Sequence, residues 1–275
     1  MSVPLVELRS GHSMPVLGLG TWTMTDELAA QVIPVAAQLG YRMVDTAAFY
    51  QNERGVGQGI RRSGLTREEF FITSKVNGRD HGLDRAIRGC EQTLARLGTD
   101  YLDLYLIHWP MPMRDLYVDT WRACIRLVEE GYVKSIGVSN FLPRHLDRII
   151  GETGLIPAVN QIQLHPRIVQ WESRAYAEKH GIVVQSWSPL GQGGTLLAEP
   201  VVQAVAGRYS KSTAQVVLRW HLEQGLVPIP KSSDRGRLAA NLDVFDFHLA
   251  DDEIKEISGL NGTEQPMNPE TFEQD

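Results

Sequence analysis

Short apolar runs alternate along the chain with longer segments in which apolar residues recur at helical spacing. The short runs are rich in leucine or β-branched residues, as strands are, and glycines suited to a helix C-cap close most of the longer segments. The predicted strands are PVLGLG, YRMVD, FFITSK, LDLYLIH, VKSIGVSN, PAVNQIQ, IVVQSW and LVPIPKS. The clearest predicted helices are DELAAQVIPVAAQLG, DRAIRGCEQTLARLG, VDTWRACIRLVEEG and STAQVVLRWHLEQG.

This alternation predicts an α/β fold with a parallel sheet. Because the runs are continuously apolar, both faces of each strand should be covered, and eight strand–helix units that close on themselves form a (β/α)8 TIM barrel. The length of 275 residues also admits two domains, but no linker divides the chain, so we expect one domain over residues 1–275. The segment VELRSGHSMP would form an N-terminal β-hairpin that plugs the barrel floor. PLGQGGTLLAEPVVQAV leaves room for extra helices or loops near the C-terminus.

Polar residues stand where the predicted strands end. In YRMVDTAAFY a buried strand ends on Asp45, which is costly unless the carboxylate has a partner. The carboxyl ends of barrel strands share one mouth, where active sites lie, so polar residues far apart in sequence should meet there. The residues at such ends are Asp45, Lys75, His108, Ser139, Asn140, Gln161, Trp187 and Lys231.

Asp45, Lys75 and Tyr50 suggest proton transfer. An aspartate that holds a lysine ammonium beside a phenol would lower the Tyr50 pKa from its usual value of about 10 toward a range useful for catalysis. Asp45 and Lys75 could instead form a structural ion pair at the rim, and His108 could be a core histidine rather than a second proton-handling group. A Schiff-base role for Lys75, or a metal-assisted hydrolase, also stays open.

Composition and charge exclude several other classes. The formal net charge is −6 and the pI is near 5.8, without a Lys/Arg block, so we expect no nucleic-acid partner. Cys90 and Cys124 lie far apart in helical patterns, and the other histidines lack metal-ligand spacing, so neither a disulfide nor a metal site is indicated. No run approaches the length of a membrane span and no signal segment is evident, so we expect a cytoplasmic protein.

Two glycine-rich segments give only weak nucleotide signals. GLGTWT, which begins at Gly18, lacks the third glycine and the acid of a Rossmann fingerprint, although glycines at the first strand end would let a ligand approach the backbone. GQGG, at residues 191–194, lacks the Lys-Ser/Thr pair of a P-loop and is interpreted as a flexible flap.

Taken together, the motifs resemble the aldo-keto reductases from the first strand to about Gly259. They are DTAAFY, ITSK, LIHWP, IGVSN, NQIQLHP and PKS, while SWSPLGQGG, VLRWHL and NLDVFDF resemble the bacterial 2,5-diketo-D-gluconate reductase branch. The resemblance implies NADPH-dependent reduction of an aldehyde or ketone, with the cofactor bound across the barrel mouth. Tyr50 would be the general acid, Lys75 and Asp45 would tune it, and His108 would orient the carbonyl.

The resemblance also implies the binding residues. Around the nicotinamide half these would be Gly20, Thr21, Trp22, Asp45, Ser139, Asn140, Gln161 and the ring of Trp187. Along the pyrophosphate and the adenosine 2′-phosphate they would be Ser188, Leu190, Gln192, Lys231, Ser232, Arg237 and Asn241. Ala240 stands where many relatives have glutamate, which leaves the use of NADH open.

The substrate would meet Trp22, Phe49, Tyr50, His108 and Trp109, whereas Trp121 fits the core of a helix pattern. The connection after His108 is short and the segment after Gly259 is brief and polar, so we expect an open, shallow pocket. Such a pocket favours small dicarbonyls or sugar-derived ketones. Relatives of this size are often monomers, and a monomer is the expectation here. A non-catalytic nucleotide-binding sensor on the same barrel is the alternative function.

Overall fold

A computed structural model describes residues 3–274. Eight parallel strands form one sheet, preceded by a two-stranded antiparallel hairpin of β1 and β2. The hairpin strands are Leu5–Glu7 (β1) and Ser13–Pro15 (β2). The parallel strands are Leu19–Gly20 (β3), Met43–Asp45 (β4), Phe71–Val76 (β5), Leu102–Ile107 (β6), Val133–Ser139 (β7), Val159–Gln163 (β8), Val183–Trp187 (β9) and Val227–Pro228 (β10).

The sheet closes into a cylinder through its first and last strands. The backbone N–H of Gly18 donates to Pro228 O and that of Gly20 to Pro230 O, each over 3.2 Å. A side chain at position 20 would place its Cβ 2.8 Å from the Ile229 carbonyl oxygen, so glycine permits this close approach. The predicted (β/α)8 barrel is therefore confirmed, with all eight strands at the predicted positions.

The helices cover the outside of the cylinder. They are Asp26–Leu39 (α1), Glu53–Arg62 (α2), Leu83–Leu97 (α3), Tyr117–Glu129 (α4), Pro143–Thr153 (α5), Trp171–His180 (α6), Pro200–Tyr209 (α7), Thr213–Glu223 (α8), Arg235–Leu242 (α9) and Asp251–Ser258 (α10). Helix α7 is the extra helix predicted between the last two strands. Each helix in the described range is either too short or too polar to span a lipid bilayer.

Alternation along each strand decides which residues face the barrel interior. On β4, Met43 packs in an inner apolar cluster and Val44 in the outer layer against the helices. Asp45, two residues after Met43, must therefore point inward. The same period of two points Lys75 inward, because Phe71 belongs to the inner cluster. Inward positions near the carboxyl ends of the strands consequently line the mouth.

The hairpin occupies the floor at the other end, as predicted. Leu8 and Met14, both almost fully buried, belong to the inner apolar cluster. The hydroxyls of Ser10 and Ser135 lie 2.7 Å apart, which links the hairpin to β7. The hairpin therefore closes this end of the barrel, and the mouth lies at the opposite end.

The segment after Gly259 corrects the expectation of a brief polar tail beside an open pocket. We call residues 260–274 the tail. Phe272 stacks on Trp109 with ring centroids 4.0 Å apart, and Gln274 is only 2% exposed. Glu270 forms an ion pair with Arg144 over 2.6 Å, which connects the tail to the first turn of α5. The tail therefore covers part of the mouth.

Candidate active site

Lys75 lies at the centre of the mouth and is fully buried. Its ammonium donates to Asp45 Oδ1 over 2.6 Å, to the Thr46 carbonyl over 2.9 Å and to the Tyr50 hydroxyl oxygen over 3.2 Å. An ammonium has three N–H groups, so all three are used. Although burial opposes the charge, Asp45 and Tyr50 outweigh it and raise the pKa of Lys75. Lys75 is therefore cationic at neutral pH.

Tyr50 ends a 3₁₀ turn, Ala48–Tyr50, in the loop that follows β4. Burial raises the pKa of Tyr50; Lys75 opposes this increase and Asp45 adds to it. The expectation of a lowered Tyr50 pKa is therefore wrong for this structure, because desolvation of a phenolate outweighs the nearby cation. Tyr50 is a neutral phenol at neutral pH, and its oxygen already accepts a hydrogen bond from Lys75.

His108 follows β6 and faces Tyr50, with ring centroids 5.7 Å apart at 72°. Burial lowers the pKa of His108 well below its ordinary value, and Lys75 and His81 add to this effect. The imidazole is therefore neutral. Phe49 meets the same ring edge-on at 6.2 Å and stacks on Trp22 at 5.8 Å, so aromatic rings line one side of the mouth.

Asp45 and Gln161 belong to one hydrogen-bond chain. The Gln161 amide nitrogen donates to Asp45 Oδ2 over 2.8 Å and to Gln185 Oε1 over 2.6 Å. The Ser139 hydroxyl donates to the backbone carbonyl of Gln161 over 2.8 Å. The second carboxylate oxygen of Asp45 is thus also satisfied, which meets the condition for burying an acid at a strand end.

Asn140 connects three strand ends. It adopts a left-handed backbone conformation with φ 62°, and its amide nitrogen donates to His108 O over 3.1 Å and to Ser139 Oγ over 3.0 Å. Its amide oxygen accepts from the Trp187 indole over 2.9 Å. These bonds hold the Trp187 ring in one orientation at the mouth.

The remaining predicted cofactor residues lie along the rim. Thr21 is buried and donates to Asp45 O over 2.9 Å. The Gln192 side-chain amide donates to Ser188 Oγ over 3.0 Å. Leu190 comes directly before the 3₁₀ turn that contains Gln192, Gly191–Gly193. Lys231 and Arg237, which flank the start of α9, are exposed, whereas Ser232 before the helix and Asn241 near its end are buried. Two cationic side chains therefore face solvent beside the mouth.

Two tryptophans lie away from the open part of the mouth: Trp109, which was predicted to contact the substrate, and Trp121, which was assigned to the core. Trp109 is 5% exposed and lies beneath Phe272, so the tail separates part of this ring from a ligand. Trp121 is fully buried in the outer core, as its helical pattern suggested. Trp22, by contrast, is 46% exposed and contacts Tyr50 at 4.8 Å between ring centroids.

Sequence reasoning missed several residues that support the site. Asn52 is fully buried and donates to Thr21 O over 2.9 Å and to Met24 O over 3.0 Å, and it accepts from Thr46 Oγ1 over 2.7 Å. It thereby holds the loops after β3 and β4 together. The sequence feature that could have indicated this role is its position two residues after Tyr50. Gln274 was missed because the tail has no periodicity to interpret.

Over the described range, no group of three or more His, Cys, Asp or Glu residues is arranged to hold a metal ion. Cys90 and Cys124 are buried free thiols, and burial raises the pKa of Cys90 to about 12. Neither thiol is suited to act as a nucleophile at neutral pH.

Known proteins share this architecture and much of this sequence. Residues 16–261 match the model of the aldo/keto reductase family. An aldo-keto reductase of Mycolicibacterium smegmatis is 46% identical over 270 residues, which cover 98% of each chain. The methylglyoxal reductase DkgA of Escherichia coli K12 is 45% identical over 270 residues, again 98% of each chain. A crystal structure of a Gox0644 variant in complex with NADPH has a TM-score of 0.95 at 43% identity and covers 99% of this chain and 100% of that chain.

Proposed function

The chain belongs to the aldo/keto reductase family, and from this premise we propose that it reduces small carbonyl compounds with NADPH, using Tyr50 as the proton donor. Aldehydes and ketones are the substrate class, and small dicarbonyls or sugar-derived ketones are the preferred members. The residues in direct contact with the reacting groups would be Tyr50 and His108, with Lys75 and Asp45 behind Tyr50.

One observation carries the proposal: Lys75 donates to the Tyr50 oxygen. The phenol oxygen thus acts as an acceptor toward Lys75, and within residues 3–274 its own O–H has no hydrogen-bond acceptor. That O–H is free to donate to a carbonyl oxygen placed in the mouth. A purely structural Asp45–Lys75 pair would not require a tyrosine oxygen as the third acceptor.

The charge distribution favours proton transfer from Tyr50 as the reaction proceeds. Tyr50 is neutral in the resting protein because burial raises its pKa, whereas Lys75 is charged. As a carbonyl oxygen gains negative charge, the Tyr50 proton moves to it and leaves a phenolate beside the Lys75 ammonium. This attraction is stronger after transfer than before, so it stabilises the transition state more than the ground state.

His108 would hold the carbonyl oxygen from the opposite side. Its ring is neutral and buried, so it can offer one N–H without adding a charge to the site. Donors on both sides of the oxygen would orient the carbonyl and lower the cost of its developing charge. Trp22 and Phe49 would supply the apolar wall against which the rest of a small substrate packs.

The residues around the mouth fit a nicotinamide cofactor. Bound NADPH supplies the hydride. Both N–H groups of Gln161 are engaged by Asp45 and Gln185, which leaves its amide oxygen to accept from a carboxamide. The Trp187 ring, held by Asn140, would give the nicotinamide a flat surface. At the rim, the exposed Lys231 and Arg237 would bind the 2′-phosphate with Ser232, which favours NADPH over NADH.

The preference for small substrates rests on the tail and on one relative. Phe272 and Gln274 reduce the open area of the mouth, so bulky carbonyl compounds such as steroids would meet the tail. The similar protein from Escherichia coli is named a methylglyoxal reductase. A small dicarbonyl is therefore the first substrate to test, with a diketo sugar acid as the second.

The test is Tyr50→Phe, which keeps the ring and removes the acid. We expect methylglyoxal-dependent NADPH oxidation to fall by roughly 10²–10⁴-fold, the usual contribution of general acid catalysis, while NADPH still binds. Tyr132→Phe is the matched control, because this exposed tyrosine lies outside the mouth. Near-normal turnover of Tyr50→Phe would assign the proton to another group. NADPH binding without turnover of any carbonyl in the wild type would favour the sensor.

A further inference from the structure

The last described residue, Gln274, reaches His108 from outside the barrel. Its side-chain nitrogen Nε2 lies 3.0 Å from His108 Nδ1, and its side-chain oxygen Oε1 lies 3.1 Å from the backbone nitrogen of Gly78. Gln274 is 2% exposed. A buried amide therefore bridges the loop after β5 and the imidazole at the end of β6.

The hydrogen-bond partners determine which way this amide points. The Gly78 N–H can only donate, so the amide atom that faces it must be the oxygen. The amide NH₂ group then faces His108, and it too can only donate. His108 Nδ1 must therefore accept, which places the proton of the neutral imidazole on Nε2.

We propose that Gln274 is a positioning residue that holds His108 in the Nε2–H tautomer. In the other tautomer, Nδ1–H and the amide N–H would point at each other in a buried site, and both would lack an acceptor. The Nε2–H form leaves a donor for the substrate carbonyl oxygen; this last step rests on the proposed function. The tautomer assignment itself does not.

Packing around Gly78 independently shows that the tail is seated against this loop. A side chain at position 78 would place its Cβ 2.0 Å from the backbone oxygen of Gln274. Only glycine permits this approach without displacing the tail. Further along the tail, Phe272 stacks on Trp109 and Glu273 pairs with Arg114. Three successive tail residues thus contact the loops that flank His108.

The charges around His108 agree with a neutral ring. Lys75 and His81 are the ionisable groups that lower its pKa, together with burial. Tyr50 faces the ring as a neutral phenol. Asp45, the nearby acid, is paired with Lys75. Gln274 adds a hydrogen bond without adding a charge, so it can select a tautomer without promoting protonation.

The side-chain nitrogens of His108 can be read directly by long-range ¹H–¹⁵N NMR of the histidine rings, with His108→Gln used for assignment. We expect Nε2 to be protonated and Nδ1 unprotonated in the wild type, without cofactor or substrate. Gln274→Glu offers only acceptors, so Nδ1 should become protonated and the pKa of His108 should rise. Because the wrong tautomer removes an oriented donor, kcat/KM for methylglyoxal should fall on the order of 10²-fold, and its pH profile should change.

Gln274→Met and Glu273→Gln complete the experiment. Gln274→Met keeps the length of the side chain but removes the donor, so a mixture of the two tautomers is expected. Glu273→Gln loosens the tail at the adjacent residue while leaving the Gln274 amide in place, so the wild-type nitrogen pattern should persist.

Two outcomes would overturn the proposal: protonation of Nδ1 in the wild type, or an unchanged nitrogen pattern in Gln274→Glu. If the nitrogen patterns are as expected but no carbonyl compound is reduced, the tautomer assignment holds and the proposed function fails. The NMR measurement and the activity assay therefore separate the two ideas.

Discussion

Removing the Lys75 ammonium should destabilise the whole barrel, because Lys75 is buried with its acid. Lys75→Met keeps most of the side-chain volume and leaves the Asp45 carboxylate buried with one remaining donor, the Gln161 amide. Breaking a buried pair by removing one partner typically costs about 3–5 kcal/mol, since the other charge stays uncompensated. A protein of this size loses roughly 2–4 °C of Tm per kcal/mol, so Tm should fall by about 6–20 °C.

The measurement is urea unfolding of four proteins: wild type, Lys75→Met, Asp45→Asn and the double variant. Each single variant leaves one buried charge alone, whereas the double variant leaves none. The double variant should therefore be less destabilised than the sum of the singles, by about 1–3 kcal/mol. The matched control is Arg126→Met, which breaks the exposed i,i+4 pair of Arg126 with Glu130 over 2.7 Å. That change should cost less than about 1 kcal/mol.

A Lys75→Met variant within about 1 kcal/mol of the wild type would refute this reasoning, because an uncompensated carboxylate cannot remain buried at so small a cost. Additive single and double variants would refute it as well. Either result would mean that Lys75 and Asp45 are hydrated or separated in solution, and the arrangement that leaves the Tyr50 O–H free would be lost with them.

Three further predictions address packing, pH and the cofactor. Gly57→Ala should lower the free energy of unfolding by about 3 kcal/mol, measured in urea, because the new Cβ would lie 1.9 Å from the Leu97 carbonyl oxygen. The control is Gly151→Ala in α5, where a new Cβ meets nothing within 4 Å, so the change should be neutral or stabilising by up to about 1 kcal/mol. Burial, followed by Arg114 and Arg85, lowers the pKa of His81 from 6.5 to about 4. Between these two pKa values the unfolded chain binds more protons than the folded protein, so the free energy of unfolding should fall by about 2 kcal/mol from pH 7 to pH 5. His81→Phe should remove this contribution to the pH dependence of stability. Arg237→Met should raise the KM for NADPH at little change in kcat and should leave the KM for NADH almost unchanged; an equal rise for both cofactors would contradict a 2′-phosphate contact.

The barrel and the residues at its mouth could be predicted from the sequence because both follow from local periodicity. A buried strand that ends on Asp45, and another that ends on Lys75, can satisfy their charges only where the strand ends meet. Once the fold is a closed barrel, the period of two along each strand places these side chains inside. In the structure the two side chains form an ion pair over 2.6 Å.

The pKa of Tyr50 and the position of the tail could not be predicted in this way. The direction of the Tyr50 pKa depends on whether burial or the nearby cation has the larger effect, and the depth of the phenol is set by packing with Trp22 and His108. Gln274 meets His108 across 166 positions of sequence. No local pattern marks such a contact, and only the absence of a side chain at Gly78 hints that another segment approaches there.

The buried polar side chains of the mouth depend on one another for their hydrogen bonds. Lys75 uses its three donors on Asp45, Thr46 and Tyr50, and Asp45 uses its second oxygen on Gln161. Because Lys75, Asp45 and Gln161 are almost fully buried, removing one of them leaves a polar partner unsatisfied. Single substitutions therefore change stability and chemistry together. Substitutions in matched pairs are needed to separate the contribution of Lys75 to folding from its influence on the Tyr50 proton.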